Sequence, residues 1–384
     1  MAMKIRGRIF LSTLLIMCMT AVSSAQELRD GKLFDSGVTM TKRAEGVSPE
    51  LDKVSFMIGQ WDVSTTNYKQ DGSSTTTNGN ASITYMNKGH ALMMRYHTAN
   101  YEGTGESMSM MAFLVYNAAQ KQWQFGRTDS RAKAIYAYNG GFEGDSLVVS
   151  TARRLGGGPL IWNLKSTFGK IDSDSFEHIS ERSNNRDSKW LKTGVSTFKR
   201  RQPTDDFMTT RDDYGLPAPG TPAEERQFDF LIGEYTASHV MFRPNNQNIV
   251  FSSPTTAVYC LDGHAILEFW AFGGDPNLPD YSTSLIRVYN EAMRRWECIF
   301  LTNRFNNLYY FGGHKEGDTI ILTGFGADVA SGVMSQYIFY DIEENSYLWK
   351  GINSRDRGKT WTPGWTIDCK RIEGTAAGTE TQSQ

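Results

Sequence analysis

Long apolar runs and basic tracts are scarce in this chain of 384 residues. Its one notable apolar run, residues 9–21, is about 13 residues long, which is too short to span a bilayer comfortably. No other segment is apolar enough to cross a membrane, so we expect no transmembrane segment in the mature chain. Lysine and arginine (40) nearly balance aspartate and glutamate (42). This balance excludes the basic surface that nucleic-acid binding needs.

Motifs for catalysis and for metal binding are also missing. No Gly-x-Ser-x-Gly elbow and no lysine-bearing phosphate loop occurs, so no nucleophile or nucleotide site is predicted. Only four cysteines occur in the chain, and no pair of them has the spacing of a zinc site. The sequence therefore predicts no metal and no cofactor, and it leaves open whether the protein is an enzyme.

The N-terminal residues have the three parts of a secretory signal peptide. Lys4, Arg6 and Arg8 precede the apolar run, and Ser23-Ser24-Ala25 supplies small residues for cleavage before Gln26. A lipoprotein signal at Cys18 is disfavoured because Met17 is not small. We predict a signal peptide over residues 1–25 and an extracytoplasmic protein, either periplasmic or secreted.

What the chain does contain is an internal repeat. Residues 51–200 reappear, degenerate but in order, over residues 227–371. Phe56–Trp61 returns as Phe230–Tyr235, and the Gly-His-Ala triplet that begins at Gly89 returns at position 263. The offset changes only from about 174 to about 171 positions along the segment, which is typical of a duplicated domain.

The repeat predicts the domain plan. After the signal peptide we expect an N-terminal arm over residues 26–50, a first domain over 51–201 and a second over 226–373. Residues 202–225 contain Pro203, Pro217, Pro219 and Pro222, which favours an extended linker. The tail, residues 374–384, is composed of small and polar residues and is expected to be disordered.

Each copy reads as all-β. Runs of five to nine strand-forming residues, such as 91–96 and 265–270, alternate with Gly, Asn and Asp turns. We expect turns at 138–141 and at 316–318, and short helices at 48–58 and 222–232. Eight or more antiparallel strands in about 150 residues favour a closed β-barrel, with a two-sheet sandwich as the alternative.

Four motifs of the second copy carry a family resemblance. They are Phe-Asp-Phe-Leu-Ile-Gly-Glu at 228–234, Leu-Asp-Gly-His at 261–264, Arg-Val-Tyr-Asn at 287–290 followed by Trp296, and the Ser-x-Asp-x-Gly-x-Thr-Trp motif at 354–361. In this order they resemble the calycin superfamily of lipocalins, fatty-acid-binding proteins and nitrobindins, and more closely a lipocalin-like bacterial domain of unknown function. The resemblance implies two tandem lipocalin-like antiparallel β-barrels joined by the Pro-rich linker, each with a cavity, and brings no known reaction.

Two of these motifs have structural interpretations. In such barrels the aromatic residue of Gly-x-Trp closes one end, so we expect Trp61 and Tyr235 to be structural. The 354–361 motif also matches the Asp box of sialidase propellers. A propeller would require a much shorter repeat period, and we interpret this segment as a hairpin turn.

The mature chain keeps Cys260, Cys298 and Cys369, all in the second copy. Their counterparts in the first copy are Met86, Phe125 and Phe198, which favours buried free thiols that act as small apolar side chains. An oxidising compartment would also allow one disulfide, with three possible pairings.

Glu268 and Arg287 of the second copy replace Met94 and Leu114 of the first. Because both charges differ together and lie on sequential strands, we expect the two side chains to be in contact. They could form an ion pair on the outer face, worth under about 1 kcal/mol. Alternatively they lie inside the barrel and anchor a carboxylate or hydroxyl of an otherwise apolar ligand.

His90 and His264 occupy matched positions directly after a glycine. Metal or haem ligation is one interpretation, and a histidine that hydrogen-bonds beside a turn is the favoured one. The predicted function is binding of a small, largely apolar molecule in the second barrel. An enzyme that uses the same cavity (an isomerase, cyclase or hydrolase) and a structural module with filled barrels are the alternatives. The predicted ligand-binding residues are His264, Glu268, Trp270, Arg287, Tyr289 and Trp349.

Overall fold

The computed structural model describes residues 43, 45–154, 162–184, 189–202, 215–243, 247–272, 281–304, 306–325 and 333–373. The predicted signal peptide, most of the predicted arm, half of the predicted linker and the predicted tail lie outside these residues. The limits proposed for these segments therefore stay predictions. Within the described residues, no helix has the length and apolar character needed to cross a membrane.

Ten antiparallel strands form the first barrel. Each strand pairs with the next along the chain, and the last pairs with the first, which closes the sheet. The strands are β1 Gly59–Tyr68, β2 Ser74–Met86, β3 Ala91–Thr98, β4 Met108–Asn117, β5 Gln122–Asp129, β6 Tyr136–Glu143, β7 Ser146–Arg154, β8 Trp162–Gly169, β9 Ser175–Asn184 and β10 Leu191–Arg200.

The second barrel repeats this topology, and β11 pairs with β20 to close it. The all-β prediction of two tandem closed antiparallel barrels is therefore confirmed, and the sandwich alternative is wrong. The strands are β11 Gly233–Met241, β12 Ile249–Cys260, β13 Ala265–Phe272, β14 Tyr281–Asn290, β15 Arg295–Thr302, β16 Leu308–Glu316, β17 Thr319–Phe325, β18 Met334–Tyr340, β19 Ser346–Ser354 and β20 Thr362–Arg371.

The helices that the structure describes are 3₁₀ helices. A nine-residue 3₁₀ helix precedes β1, where a short helix was expected, and Ser48 caps its first turn through a hydrogen bond from the Glu50 amide. The segment before β11 contains two short pieces instead of one helix. The ranges are Pro49–Met57, Tyr101–Gly103, Ala223–Arg226, Asp229–Leu231, Leu261–Gly263 and Glu291–Met293.

The same arrangement closes one end of each barrel. In the first, the Arg200 guanidinium lies 4.2 Å from the centre of the Trp61 ring and donates to the carbonyls of Ile58 (2.9 Å) and Phe56 (3.1 Å). A Cβ on Gly59 would lie 2.6 Å from Nη1 of Arg200, so the glycine makes room for this contact.

In the second barrel Arg371 takes the place of Arg200. Its guanidinium lies 4.6 Å from the ring centre of Tyr235 and donates to the carbonyls of Ile232 and Phe230. Trp61 and Tyr235, both about 1% exposed, are thus part of the closure. The Gly-x-aromatic motif therefore has the structural role expected of it.

The predicted turn at 138–141 is wrong, because these residues lie within β6. A Cβ on Gly140 would come within 1.9 Å of the Val148 carbonyl oxygen, and a Cβ on Gly313 within 1.8 Å of the Ile321 carbonyl oxygen. These two matched glycines allow neighbouring strands to approach closely. The turn predicted at 316–318 does connect β16 to β17.

The barrels pack against each other through matched outer faces. Apolar side chains of β3, β4 and β6 form one buried cluster with those of β13 to β16. The amide of Ile135 donates to Glu297 Oε2 (2.9 Å), and the amide of Leu308 donates to Gln124 Oε1 (2.9 Å). Since these two hydrogen bonds join equivalent positions, the interface has an approximate twofold relation between the copies.

Candidate functional site

The closed half of the second barrel is filled with aromatic side chains. Phe228 lies 4.8 Å from Trp296 and 5.1 Å from Phe339, both edge-to-face. Tyr347 lies 5.2 Å from Tyr235, and all five side chains are buried. This half is a packed core, whereas the aromatic side chains of the opposite half are partly exposed.

A buried ion pair lies beside this core. Nη2 of Arg287 donates to Oε2 of Glu268 at 2.5 Å, and the two side chains are 1% and 3% exposed. The guanidinium lies 5.2 Å from the ring centre of Phe228 and 5.6 Å from that of Phe339. The opposite faces of β13 and β14 pack on the first barrel. The pair is therefore inside the second barrel, and the outer-face alternative does not describe it.

Two nitrogen atoms of the Arg287 guanidinium, Nε and Nη1, are buried and have no hydrogen-bond partner among the described residues. On the other side of the pair, Thr255 Oγ1 lies 3.5 Å from Glu268 Oε1. Leaving buried donors unpaired costs about 1 to 3 kcal/mol each. A fixed guanidinium with two such donors is chemically suited to an oxygen acceptor on a bound molecule.

The other half of the interior is lined by aromatic side chains that are only partly buried. Trp349 stacks on Tyr337 at 5.6 Å and meets Trp365 edge-to-face at 5.7 Å. Trp270 lies 5.5 Å from His239. The structure thus places Trp270 and Trp349 in this open half, with Glu268 and Arg287 at its base. The partly buried aromatic residues of the interior include Trp270, Phe300, Tyr309, Tyr337, Trp349 and Trp365.

His239 is a site residue that the sequence reasoning missed. It is fully buried, its Nε2 forms a hydrogen bond with Ser253 Oγ at 2.7 Å, and its ring stacks on Phe251 at 4.3 Å. Burial lowers the pKa of its imidazole to about 3, so it is neutral. The alternation Tyr235, Ala237, His239 along β11 was the available signal, because every second residue of a strand faces the same side.

The structure does not bring His264 or Tyr289 into the open half. His264 precedes β13 in an α-type backbone conformation, and its Nδ1 lies 2.8 Å from Glu225 Oε1. The alternation of β13 therefore does not extend to His264. Tyr289 is buried and packs on Trp296 at 5.6 Å, within the closed half. Both residues lie at the closed end of the barrel, apart from Trp270 and Trp349.

The cysteines are free in the structure. Cys298 and Cys369 are buried in the second barrel's core, and Cys260 is half-buried. Burial raises the pKa values of Cys260 and Cys298 to about 12. Thiols with such pKa values carry almost no thiolate at neutral pH and are unreactive.

The segment 354–361 forms the turn between β19 and β20, as expected. Asp356 accepts hydrogen bonds from the Thr360 amide (2.9 Å) and hydroxyl (2.7 Å), and Ser354 Oγ accepts one from the Gly358 amide (2.7 Å). Hydrogen bonds from Thr360 lower the pKa of Asp356 to about 2. The motif organises a turn through side-chain to backbone hydrogen bonds.

Comparison with known proteins yields similarity to solved structures only. No protein-family model matches the chain, and no curated protein matches it. One similar structure is a protein of unknown function from the DUF3598 family of Nostoc punctiforme, at 11% identity, with 85% of this chain and 100% of that chain covered and a TM-score of 0.25.

Two further structures match over about one barrel. An S-type phycobiliprotein lyase from Guillardia theta shares 11% identity, with 40% of this chain and 93% of that chain covered and a TM-score of 0.30. Rv2717c from M. tuberculosis shares 11% identity, with 41% and 99% covered and a TM-score of 0.29. With TM-scores this low, the similarities carry no argument about function.

Proposed function

We propose that the second barrel binds a small, largely apolar molecule that carries an oxygen acceptor, and that the protein is an extracytoplasmic binding protein of the lipocalin-like kind. The observation behind this proposal is Arg287, which is buried, held by Glu268 and left with two unpartnered donors among the described residues. The extracytoplasmic location rests on the N-terminal sequence pattern alone.

The net charge of the Glu268–Arg287 pair determines which kind of oxygen acceptor the ligand should carry. Glu268 already neutralises Arg287, so the site has no net charge to offer an anion. A ligand carboxylate would also lie close to the Glu268 carboxylate, and like charges repel strongly where little water screens them. A carbonyl or hydroxyl oxygen avoids this repulsion and still accepts from Nε or Nη1.

The side chains that line the open half of the second barrel indicate the chemical character of the rest of the ligand. Partly buried aromatic side chains dominate the open half, including Trp270, Tyr337 and Trp349. Such a surface favours flat, apolar groups, which gain from stacking and from removal from water. Binding sites of this kind combine an apolar wall with a few fixed polar groups.

The test uses prodan, a neutral naphthalene ketone whose emission shifts to the blue in apolar surroundings. We expect the full chain to bind prodan and the double variant Glu268→Met/Arg287→Leu, which installs the residues of the first barrel, to bind it at least tenfold more weakly. The control Asp368→Met/Lys370→Leu removes one acid and one base from the outer face of the same barrel. It should bind within twofold of wild type.

Equal affinity of the wild type and the interior double variant would overturn the proposal. A variant that lost its blue-shifted emission because it had unfolded would be recognised by its circular dichroism spectrum. In that case the single variant Arg287→Lys is used. It keeps the positive charge but has one side-chain nitrogen in place of three, and it should weaken prodan binding by several-fold.

A further inference from the structure

The first barrel contains an interior arginine of its own, Arg127 on β5. Its alternation along the strand with the buried Trp123 and Phe125 points it inward. The position is occupied by Phe300 in the second barrel, just as the position of Arg287 is occupied by Leu114 in the first. The two barrels thus carry their cations at different places, and neither place is charged in the other copy.

Arg127 is partnered in a different way from Arg287. Its Nε donates to the Tyr138 hydroxyl at 3.0 Å, and the guanidinium lies 5.2 Å from the Tyr136 ring centre. Nη1 is 3.9 Å from the Met110 sulfur. Within the residues described, no acidic side chain forms an ion pair with Arg127, and neither terminal nitrogen has an oxygen acceptor.

The closest acid in the sequence, Asp129, does not form an ion pair with Arg127, although its charge reaches the guanidinium. Asp129 lies two residues further along β5, and its carboxylate accepts from the backbone amides of Arg131 (3.1 Å) and Ala132 (2.6 Å). The field of Arg127 also reaches His178, which is stacked on Phe168 at 4.6 Å. Burial and the positive charge of Arg127 lower the pKa of His178 to about 3. Within the described part of the chain, Arg127 is therefore a cation without an ion-pairing acid.

The surroundings of Arg127 are apolar and only partly buried. Met108, Met110, Tyr136 and Leu164 are partly buried around the first barrel's core. His178 Nε2 is buried and finds no hydrogen-bond partner among the described residues. Arg127 is half-buried, and a partly desolvated cation without a paired acid is unfavourable. An anion with an apolar body would reduce this cost.

We propose that the first barrel is a second binding site, for a small organic carboxylate whose anionic group pairs with Arg127 and whose apolar body lies among the methionine and tyrosine side chains. A planar guanidinium is well matched to a carboxylate, because two parallel N–H groups can donate to its two oxygens. The two barrels then bind different classes of ligand: an anion in the first and a neutral oxygen acceptor in the second. This site is independent of the one proposed for the second barrel.

The test compares 11-(dansylamino)undecanoic acid with its methyl ester, which differ only in charge. Every form tested carries Glu268→Met/Arg287→Leu, so that the second barrel lacks the site proposed for neutral acceptors. The full chain of this background should bind the acid more tightly than the ester. Arg127→Gln should weaken binding of the acid at least tenfold and that of the ester less than twofold. Lys165→Gln is the matched control, because it removes an equal charge from the outside of the same barrel, where Lys165 pairs with Glu181 at 2.7 Å.

Arg127→Lys, which keeps the charge, should retain most of the preference for the acid. This second variant separates loss of charge from loss of folding. The proposal is overturned if Arg127→Gln binds the acid as tightly as the background with Arg127 intact or if that background shows no preference for the acid. It is also overturned if Lys165→Gln weakens binding of the acid as much as Arg127→Gln does.

Discussion

In both barrels an arginine of the last strand covers an aromatic residue of the first. Arg200 lies over Trp61, and Arg371 lies over Tyr235. Inside, the copies differ: Glu268 and Arg287 of the second barrel stand where the first has Met94 and Leu114. The duplicated chain has kept the contacts that close each barrel and changed the polar groups in the interior. This difference is the basis for proposing a different class of ligand for each interior.

The largest effect should follow from breaking the interior pair. Arg287→Leu alone leaves Glu268 buried without its partner, so we expect the free energy of unfolding of the second barrel to fall by about 3 to 5 kcal/mol. Glu268→Met with Arg287→Leu should restore most of this loss, since the first barrel is stable with the same two residues. Urea unfolding, monitored by tryptophan fluorescence, measures the free energy of unfolding of both variants. A near-neutral Arg287→Leu variant would mean that the pair is not desolvated.

The closures of the two barrels should respond alike to mutation. Arg200→Met and Arg371→Met each remove hydrogen bonds from a charged donor to backbone carbonyls, with an expected cost of about 2 to 3 kcal/mol. The exposed Lys199→Met on the same strand as Arg200 should change stability little. Thermal unfolding of the three variants checks this, and a large cost in one barrel with none in the other would break the proposed equivalence.

Acid should destabilise both barrels through one buried histidine each. The pKa values of His178 and His239 are lowered to about 3 in the fold, against about 6.5 in an unfolded chain. The unfolded chain therefore binds protons first, so this stability is complete above pH 6.5 and is lost as the pH falls toward 3.

At pH 4.5 we expect each histidine to cost at most about 2.5 kcal/mol relative to pH 7. His178→Phe should reduce the pH dependence of the first barrel's unfolding, and His239→Phe that of the second. Urea unfolding at the two pH values measures the change. Unaltered pH dependence in both variants would show that these imidazoles do not titrate between the two states.

The smallest effect is expected at the interface between the barrels. Glu297 accepts from the Ile135 amide in the same way that Gln124 accepts from the Leu308 amide. Burial raises the pKa of Glu297, but Arg295 forms a partly exposed ion pair with it at 3.2 Å. Replacement of Glu297 by a neutral amide should therefore cost about 1 kcal/mol. Glu297→Leu removes the acceptor and should cost more, about 1 to 3 kcal/mol. Equal costs for the two substitutions would show that this hydrogen bond contributes nothing.

The repeat and the strand alternation were sufficient to predict the two barrels and the contact between Glu268 and Arg287. Alternation tells which face of a strand a residue occupies, and it fails where the strand has not begun, as at His264. Strand alternation also does not report how far along the barrel axis a residue lies. Tyr289 and Trp270 share the inward orientation, yet they lie in opposite halves because depth depends on the register between strands. His239 and Trp365 meet Trp270 and Trp349 through that same register, which no local pattern reports.

Native mass spectrometry of the protein purified from its own source tests most directly whether the interiors hold different ligands. Three forms would be compared: the wild type, Arg127→Gln, and Glu268→Met/Arg287→Leu. We predict two distinct retained masses on the wild type, one missing from the first variant and the other missing from the second. Loss of the same mass from both variants, or retention of every mass by both, would contradict the assignment of one ligand class to each barrel.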